Sequence, residues 1–122
     1  MPDNRLEDYK DLIVWKRAME LAVAAYAIAR KLPKEENFAL ADQIRRSAVS
    51  IPSNIAEGYG RGSPKDYARF LSMARGSRYE LETQLFLCEN LGYVTQDEIS
   101  TAIRLGQEVA KMLNVIIGKI LS

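Results

Sequence analysis

Apolar residues recur at steps of three, four and seven from one end of this chain to the other, and strict alternation is nearly absent. That spacing marks helices that each bury one face, because about 3.6 residues complete a turn. The first helix is predicted from about Leu12 to Leu32, with Val14, Ala18, Leu21, Ala25, Ile28 and Leu32 as its core stripe. Asp11 is placed to cap its start, and Pro33 to end it. The second is predicted from about Glu36 to Tyr59, burying Leu40, Ile44, Ala48, Ile51 and Ile55. Pro52 falls inside it. Proline removes one backbone donor and presses on the carbonyl four residues back, so a kink is expected there. The apolar phase carries across Pro52, so one bent helix is expected rather than two.

The third and fourth helices declare their ends more clearly. Ser63-Pro64-Lys65-Asp66 offers a capping serine, a proline at the first helical position and an acid at the third. Phe70, Ala74, Ser77, Leu81, Leu85 and Cys88 continue as a core stripe, and Gly92 is a natural stop. Thr95-Gln96-Asp97-Glu98 reads as a capping box. It opens a helix lined by Ile99, Ala102, Ile103, Gly106, Val109, Leu113, Ile116, Ile117 and Ile120. Short connections favour antiparallel neighbours. The expected fold class is all-α, an antiparallel up-and-down four-helix bundle whose second helix is kinked at Pro52. It is expected to form one domain over residues 1–122, with a short N-terminal tail at 1–10.

The apolar faces exceed what one core needs. A helix facing a single core shows an apolar arc of about 100° or somewhat more. The first helix carries a second stripe, Trp15, Met19, Val23 and Tyr26, and every residue from Ala22 to Ala29 is apolar. Tyr79 and Phe86, seven apart, point away from the third helix's core stripe. Deeper burial within the bundle is one reading; a subunit interface is the other, and self-association is the expectation drawn from it.

Composition narrows the chemistry. The chain has one cysteine and no histidine. An internal disulfide, a histidine-based triad, Glu-x-x-His di-iron ligation and most zinc sites are therefore excluded. Cys88 lies in a core phase and is read as packing. Glu57, Glu80 and Glu82 have no nucleophile or metal ligand beside them, so no enzyme, metal or cofactor is expected. No apolar run is long enough for a membrane span, and no apolar segment follows Met1 as a signal peptide would require, so a cytoplasmic location is the default.

Net charge is only +1, but its distribution is uneven. Between Gln43 and Arg78 seven basic residues face two acidic ones, a local charge of +5. Arg45, Arg46, Arg61, Lys65, Arg69 and Arg75 are the candidates there for phosphate contacts. Gly58, Gly60 and Gly62 adjoin three of them, and glycine lets a backbone approach a phosphate closely. A flexible turn with solvated charges is the plainer reading, and no nucleotide-loop motif is present. A polar stripe, Gln43, Arg46, Ser50, Asn54 and Glu57, lies opposite the second helix's core. It is either a hydrogen-bonded seam between helices or subunits, or a ligand contact. Arg78 sits near the core phase and is expected to pair internally, with Glu82 or Glu35.

Several strings together resemble a known family. They are Asp11-Leu12-Ile13-Val14-Trp15-Lys16-Arg17-Ala18, the run Gln43-Ile44-Arg45-Arg46-Ser47-Ala48-Val49-Ser50-Ile51-Pro52-Ser53-Asn54-Ile55-Ala56-Glu57-Gly58, and Phe70-Leu71-Ser72-Met73-Ala74-Arg75-Gly76-Ser77 with Glu80-Leu81-Glu82. They resemble the bacterial four-helix-bundle proteins encoded within intervening sequences of large-subunit ribosomal RNA genes, from about Asp11 to Ile120. That family is also similar to the accessory protein of diversity-generating retroelements. The resemblance implies a ring-like homo-oligomer, a pentamer, and an association with ribosomal RNA. Its motif covers Ser50, Asn54, Glu57, Gly58, Gly76, Ser77 and Glu80 as well as several of the arginines. Whether these positions hold a ring together or touch a ligand stays open at this point. A scaffold that docks another protein, with no nucleic-acid role, is the alternative.

Overall fold

A computed structural model describes residues 8–122. Four helices form: α1 (Ile13–Ala29), α2 (Leu40–Gly60), α3 (Pro64–Asn90) and α4 (Gln96–Leu121). Each packs on two neighbours, α1 and α3 both lying against α2 and α4, so the helices stand at the corners of a square. Leu21, Ile44, Ile51, Ile55, Leu71, Leu81, Leu85, Ile99 and Leu113 fill the middle. Each contributes roughly 1.5–3 kcal/mol by leaving water. All six residues of α1's expected core stripe are buried. No helix among the described residues is long and apolar enough to cross a membrane.

The square has two ends. One holds the start of α1, the α2–α3 turn and the end of α4. The other holds the α1–α2 connection and the α3–α4 turn. At the latter, Gly92 takes a φ of 80° and its N–H bonds the Glu89 carbonyl, while the Tyr93 N–H reaches back to Cys88. This double reach satisfies the last carbonyls of α3. Three residues later the expected capping box is in place: Thr95 Oγ1 accepts from the Glu98 N–H, and the Glu98 carboxylate accepts from the Thr95 N–H.

The first half of the chain departs from expectation at three boundaries. Asp11 does not cap α1. It lies in a 3-10 turn, Tyr9–Asp11, that Asp8 caps, and Leu12 precedes α1 without a side-chain cap. Two more residues of the expected tail, Tyr9 and Lys10, belong to that turn; residues 1–7 lie outside the described part. α1 ends at Ala29 rather than Leu32, because the Lys31 and Leu32 N–H groups bond three residues back and tighten the last turn. α2 begins at Leu40 rather than Glu36, since Lys34–Glu36 forms a separate 3-10 turn. Beyond these, α2 runs unbroken through Pro52, which is buried.

Candidate nucleic-acid interface

The α2–α3 turn is three residues long, and its geometry begins one turn earlier, inside α2. Gly58 follows Ile51 and Ile55 in the core phase and is buried. A Cβ on it would lie 2.6 Å from the Phe70 Cβ, closer than any real contact, so its bareness is what lets α3 cross. The sequence had suggested that Gly58 serves the approach of a phosphate; the structure gives it to Phe70. After α2, Gly62 takes a φ of 79°, a backbone region that glycine enters without strain. Ser63 Oγ then accepts from the Asp66 N–H at 3.4 Å, starting α3 as expected.

Phe70, buried by this crossing, carries two guanidinium groups against its ring. The Arg61 centre is 5.1 Å and the Arg69 centre 4.6 Å from the ring centroid, within cation–π range. Asp66 lies 3.9 Å from Arg61 and 3.5 Å from Arg69. These ion pairs are exposed and therefore weak, at most about 1 kcal/mol each, so they do not tie the arginines against a competing anion. Lys65 pairs with no carboxylate among the described residues. Among the described residues, three cations and one carboxylate thus stand around the start of α3, where the backbone N–H groups also favour negative charge.

The other candidate arginines are elsewhere and already engaged. Arg45 and Arg46 lie near the start of α2, roughly 20 Å along the helix axis from Arg61. Arg45 donates to the Asn37 carbonyl at 2.8 Å and sits 3.9 Å from Asp42. Arg46 Nε donates to Asp42 at 2.8 Å, and that hydrogen bond raises the guanidinium pKa further. Arg75 donates to Asn114 across the α3–α4 flank at 2.9 Å. Arg78 is buried and donates to Glu82 at 2.9 Å, the internal pair expected for it. The local +5 is thus drawn down by Asp42 and Glu82, carboxylates just outside the basic segment.

The polar stripe of α2 divides in two. Ser50 Oγ lies 2.8 Å from Ser77 Oγ of α3, and Asn54 donates to both the carbonyl and the hydroxyl of Ser50. This is a seam between two helices of one chain. Gln43, Glu57 and Glu80 remain on the surface without a side-chain hydrogen bond or ion pair among the described residues.

The apolar candidates also divide. Trp15 is half-buried with its ring edge-on to Tyr9 at 5.3 Å, and Tyr26 is half-buried over the α1–α2 groove. Met19, Val23 and, across on α2, Val49 are exposed. Tyr79 is exposed beneath the Arg78 guanidinium, and Phe86 is exposed two turns further along α3.

Sequence reasoning missed the seat of Phe70 and the Tyr59–Tyr67 pair beside it, edge-to-face at 5.9 Å. The signal for the first was the core phase of Gly58, obscured by the glycines that follow it. Burial raises the pKa of the Tyr67 hydroxyl, and burial likewise pushes the Cys88 thiol up, away from reactivity. No group of three or more His, Cys, Asp or Glu residues that could hold a metal occurs among the described residues.

Comparison with known proteins bears on what this arrangement is for. The family described as 23S rRNA-intervening sequence protein matches residues 10–115. Among solved structures, the chain is similar to a protein of unknown function from the S23 ribosomal protein family of Bacteroides thetaiotaomicron. The TM-score is 0.80 at 28% identity, covering 86% of this chain and 98% of that one. A comparison with curated proteins gives no match.

Proposed function

The chain belongs to the 23S rRNA-intervening sequence protein family, and on that premise we propose that it is a non-enzymatic, self-assembling bundle that binds structured RNA. Contact is made to phosphates, at the α2–α3 end of the square. The observation that carries this is the group of Arg61, Lys65 and Arg69 around one turn, with Asp66 the single carboxylate paired with them among the described residues and two of the three within cation–π range of the Phe70 ring. The six basic candidates are not one surface. Arg45, Arg46 and Arg75 lie away from this turn, and the RNA contact belongs to the other three.

Self-assembly rests on exposed apolar residues on two unlike flanks. Met19, Val23 and Val49 lie on the α1–α2 side. Tyr79 and Phe86 lie on α3, Tyr79 one turn beyond the Arg75 that reaches α4. When one flank of a copy meets the other flank of the next, the contact is heterologous, and a suitable rotation closes it into a ring. A pentameric ring is the form the family resemblance points to. It would repeat a small basic turn around one rim and gain by avidity.

The test is retention of a structured 23S rRNA fragment across a salt series, together with the mass of the assembly. Binding is expected to weaken linearly in the logarithm of salt, with a slope of about −0.9 per phosphate contact. Arg61→Glu with Arg69→Glu should abolish retention and leave the assembly mass unchanged. Wild-type protein that retains no RNA at low salt would overturn this reading. A protein-docking scaffold is the second reading, favoured by the internal pairing of Arg45, Arg46, Arg75 and Arg78. Unchanged partner binding by the double variant would support it.

A further inference from the structure

A groove of about 500 Å³ runs between the first turn of α1 and the last turns of α4, on a flank that neither the basic turn nor the two ring flanks use. Ile13 and Val115 wall it and are 65% and 56% exposed, while Met112 and Ile116 lie half-buried at its floor. Two branched aliphatic side chains left this open give the groove an apolar face that no described residue covers.

The charges around it are unbalanced. The nearby acids are engaged: Asp8 with Lys10, Glu20 with Arg17, and Glu108 with Arg17 and Arg104. Three lysines are not. Lys111 lines the groove, Lys16 stands one turn beyond Ile13, and Lys119 one turn beyond Ile116. None of them has an ion pair among the described residues, and the only unpaired acid beside them there is Asp11. An apolar floor with a surplus of ammonium groups on its rim is the complement of a helix that is apolar on one face and acidic along its flank. Two copies of this groove placed face to face would instead bring like charges together.

We propose that the groove docks an amphipathic, acidic-flanked helix of a partner protein. The inference goes beyond RNA binding and does not depend on it, since it uses no residue of the α2–α3 turn.

The probe is a synthetic helical peptide of about five turns, roughly 18 residues. It carries leucines at every third and fourth position and glutamates beside them. A control peptide has lysine at each glutamate. Binding to the full-length protein is read by fluorescence anisotropy of a labelled peptide. The acidic peptide should bind at least about tenfold more tightly than the control, with the preference shrinking as salt rises. Val115→Glu should weaken it by about tenfold or more with an unchanged melting temperature, because Val115 is exposed. Ile13→Ser should act in the same direction. The proposal is overturned if the acidic peptide fails to bind, if the two peptides bind equally, or if neither substitution matters. It is also overturned if Val115→Glu alone lowers the mass of the protein's assembly, because the groove then belongs to a second copy.

Discussion

The two ends of the bundle are built on different terms. At the α3–α4 end, polar side chains reach across the chain from one element to another. Tyr93 donates to Glu36 at 2.8 Å across 57 positions, and Lys31 donates to Glu98 at 2.9 Å across 67. The five residues between α3 and α4 close one helix and open the next with every cap satisfied. Around the α2–α3 turn, the charged groups of α3 and the turn are tied, among the described residues, to near neighbours. Arg61 and Arg69 share Asp66, and Lys65 has no ion pair among the described residues. The first end spends its polar groups on the fold. The second leaves its cations exposed, as the proposed RNA contact requires.

Gly58→Ala should break this contrast most severely. Its new methyl meets the Phe70 Cβ, which is rooted in the α3 backbone and cannot swing aside. Overpacking of this kind costs typically about 1–3 kcal/mol, measured as a lower midpoint in chemical denaturation. A midpoint unchanged within error would mean that the α2–α3 crossing is looser than its geometry indicates.

Thr95→Ala comes next, at the other end. Loss of an N-cap costs about 1 kcal/mol, again read from denaturation, and RNA retention should be unaffected. A change in RNA binding would show that the two ends are coupled rather than separate.

Acid sharpens the comparison further. The Thr95 backbone N–H and then Lys31 hold the Glu98 carboxyl below its ordinary value, so the folded state favours its ionised form. The stability it supplies is fully present above the usual glutamate pKa of about 4.3 and is lost as pH falls through its lowered folded value. Glu98→Ala should therefore lower the neutral plateau of a stability-against-pH curve and flatten its acid limb, with the two proteins converging at low pH. An acid limb identical to wild type would remove Glu98 from the account.

Lys65→Ala should have the smallest effect on folding. The melting temperature should not move, while RNA retention weakens and the salt slope falls by about one phosphate contact. An unchanged slope would leave Lys65 out of the interface.

The sequence revealed most where structure is decided locally. Ser63, Gly92, Thr95 and Glu98 act on backbone within three or four residues of themselves, so the ends of α3 and the start of α4 were legible as short strings. The start of α1 and the α1–α2 connection were not. Asp11 is a plausible cap and Glu36 a plausible helix start in isolation, but each falls in a 3-10 turn, and the Glu36 carboxylate accepts from both the Leu40 N–H and the Tyr93 hydroxyl. The seam of Ser50, Asn54 and Ser77 was half visible: the serine and asparagine stood out in α2, while their partner lay 27 positions away. The candidate cations show the same limit. Seven basic residues share one segment, but a helix scatters neighbours around its circumference and along its length, so only three reach the same turn.

The stacking of Arg61 and Arg69 on Phe70 has a further consequence, in flexibility rather than charge. A free arginine side chain loses on the order of 2 kcal/mol of rotational entropy when fixed. Here part of that loss has already occurred in folding, because both guanidinium centres rest within cation–π range of the buried ring. A phosphate would meet cations that are partly immobilised, and less ordering would accompany its binding. On the proposed RNA contact, enlarging Gly58 should weaken binding without altering a single charge, by shifting the phenyl ring on which the two arginines rest.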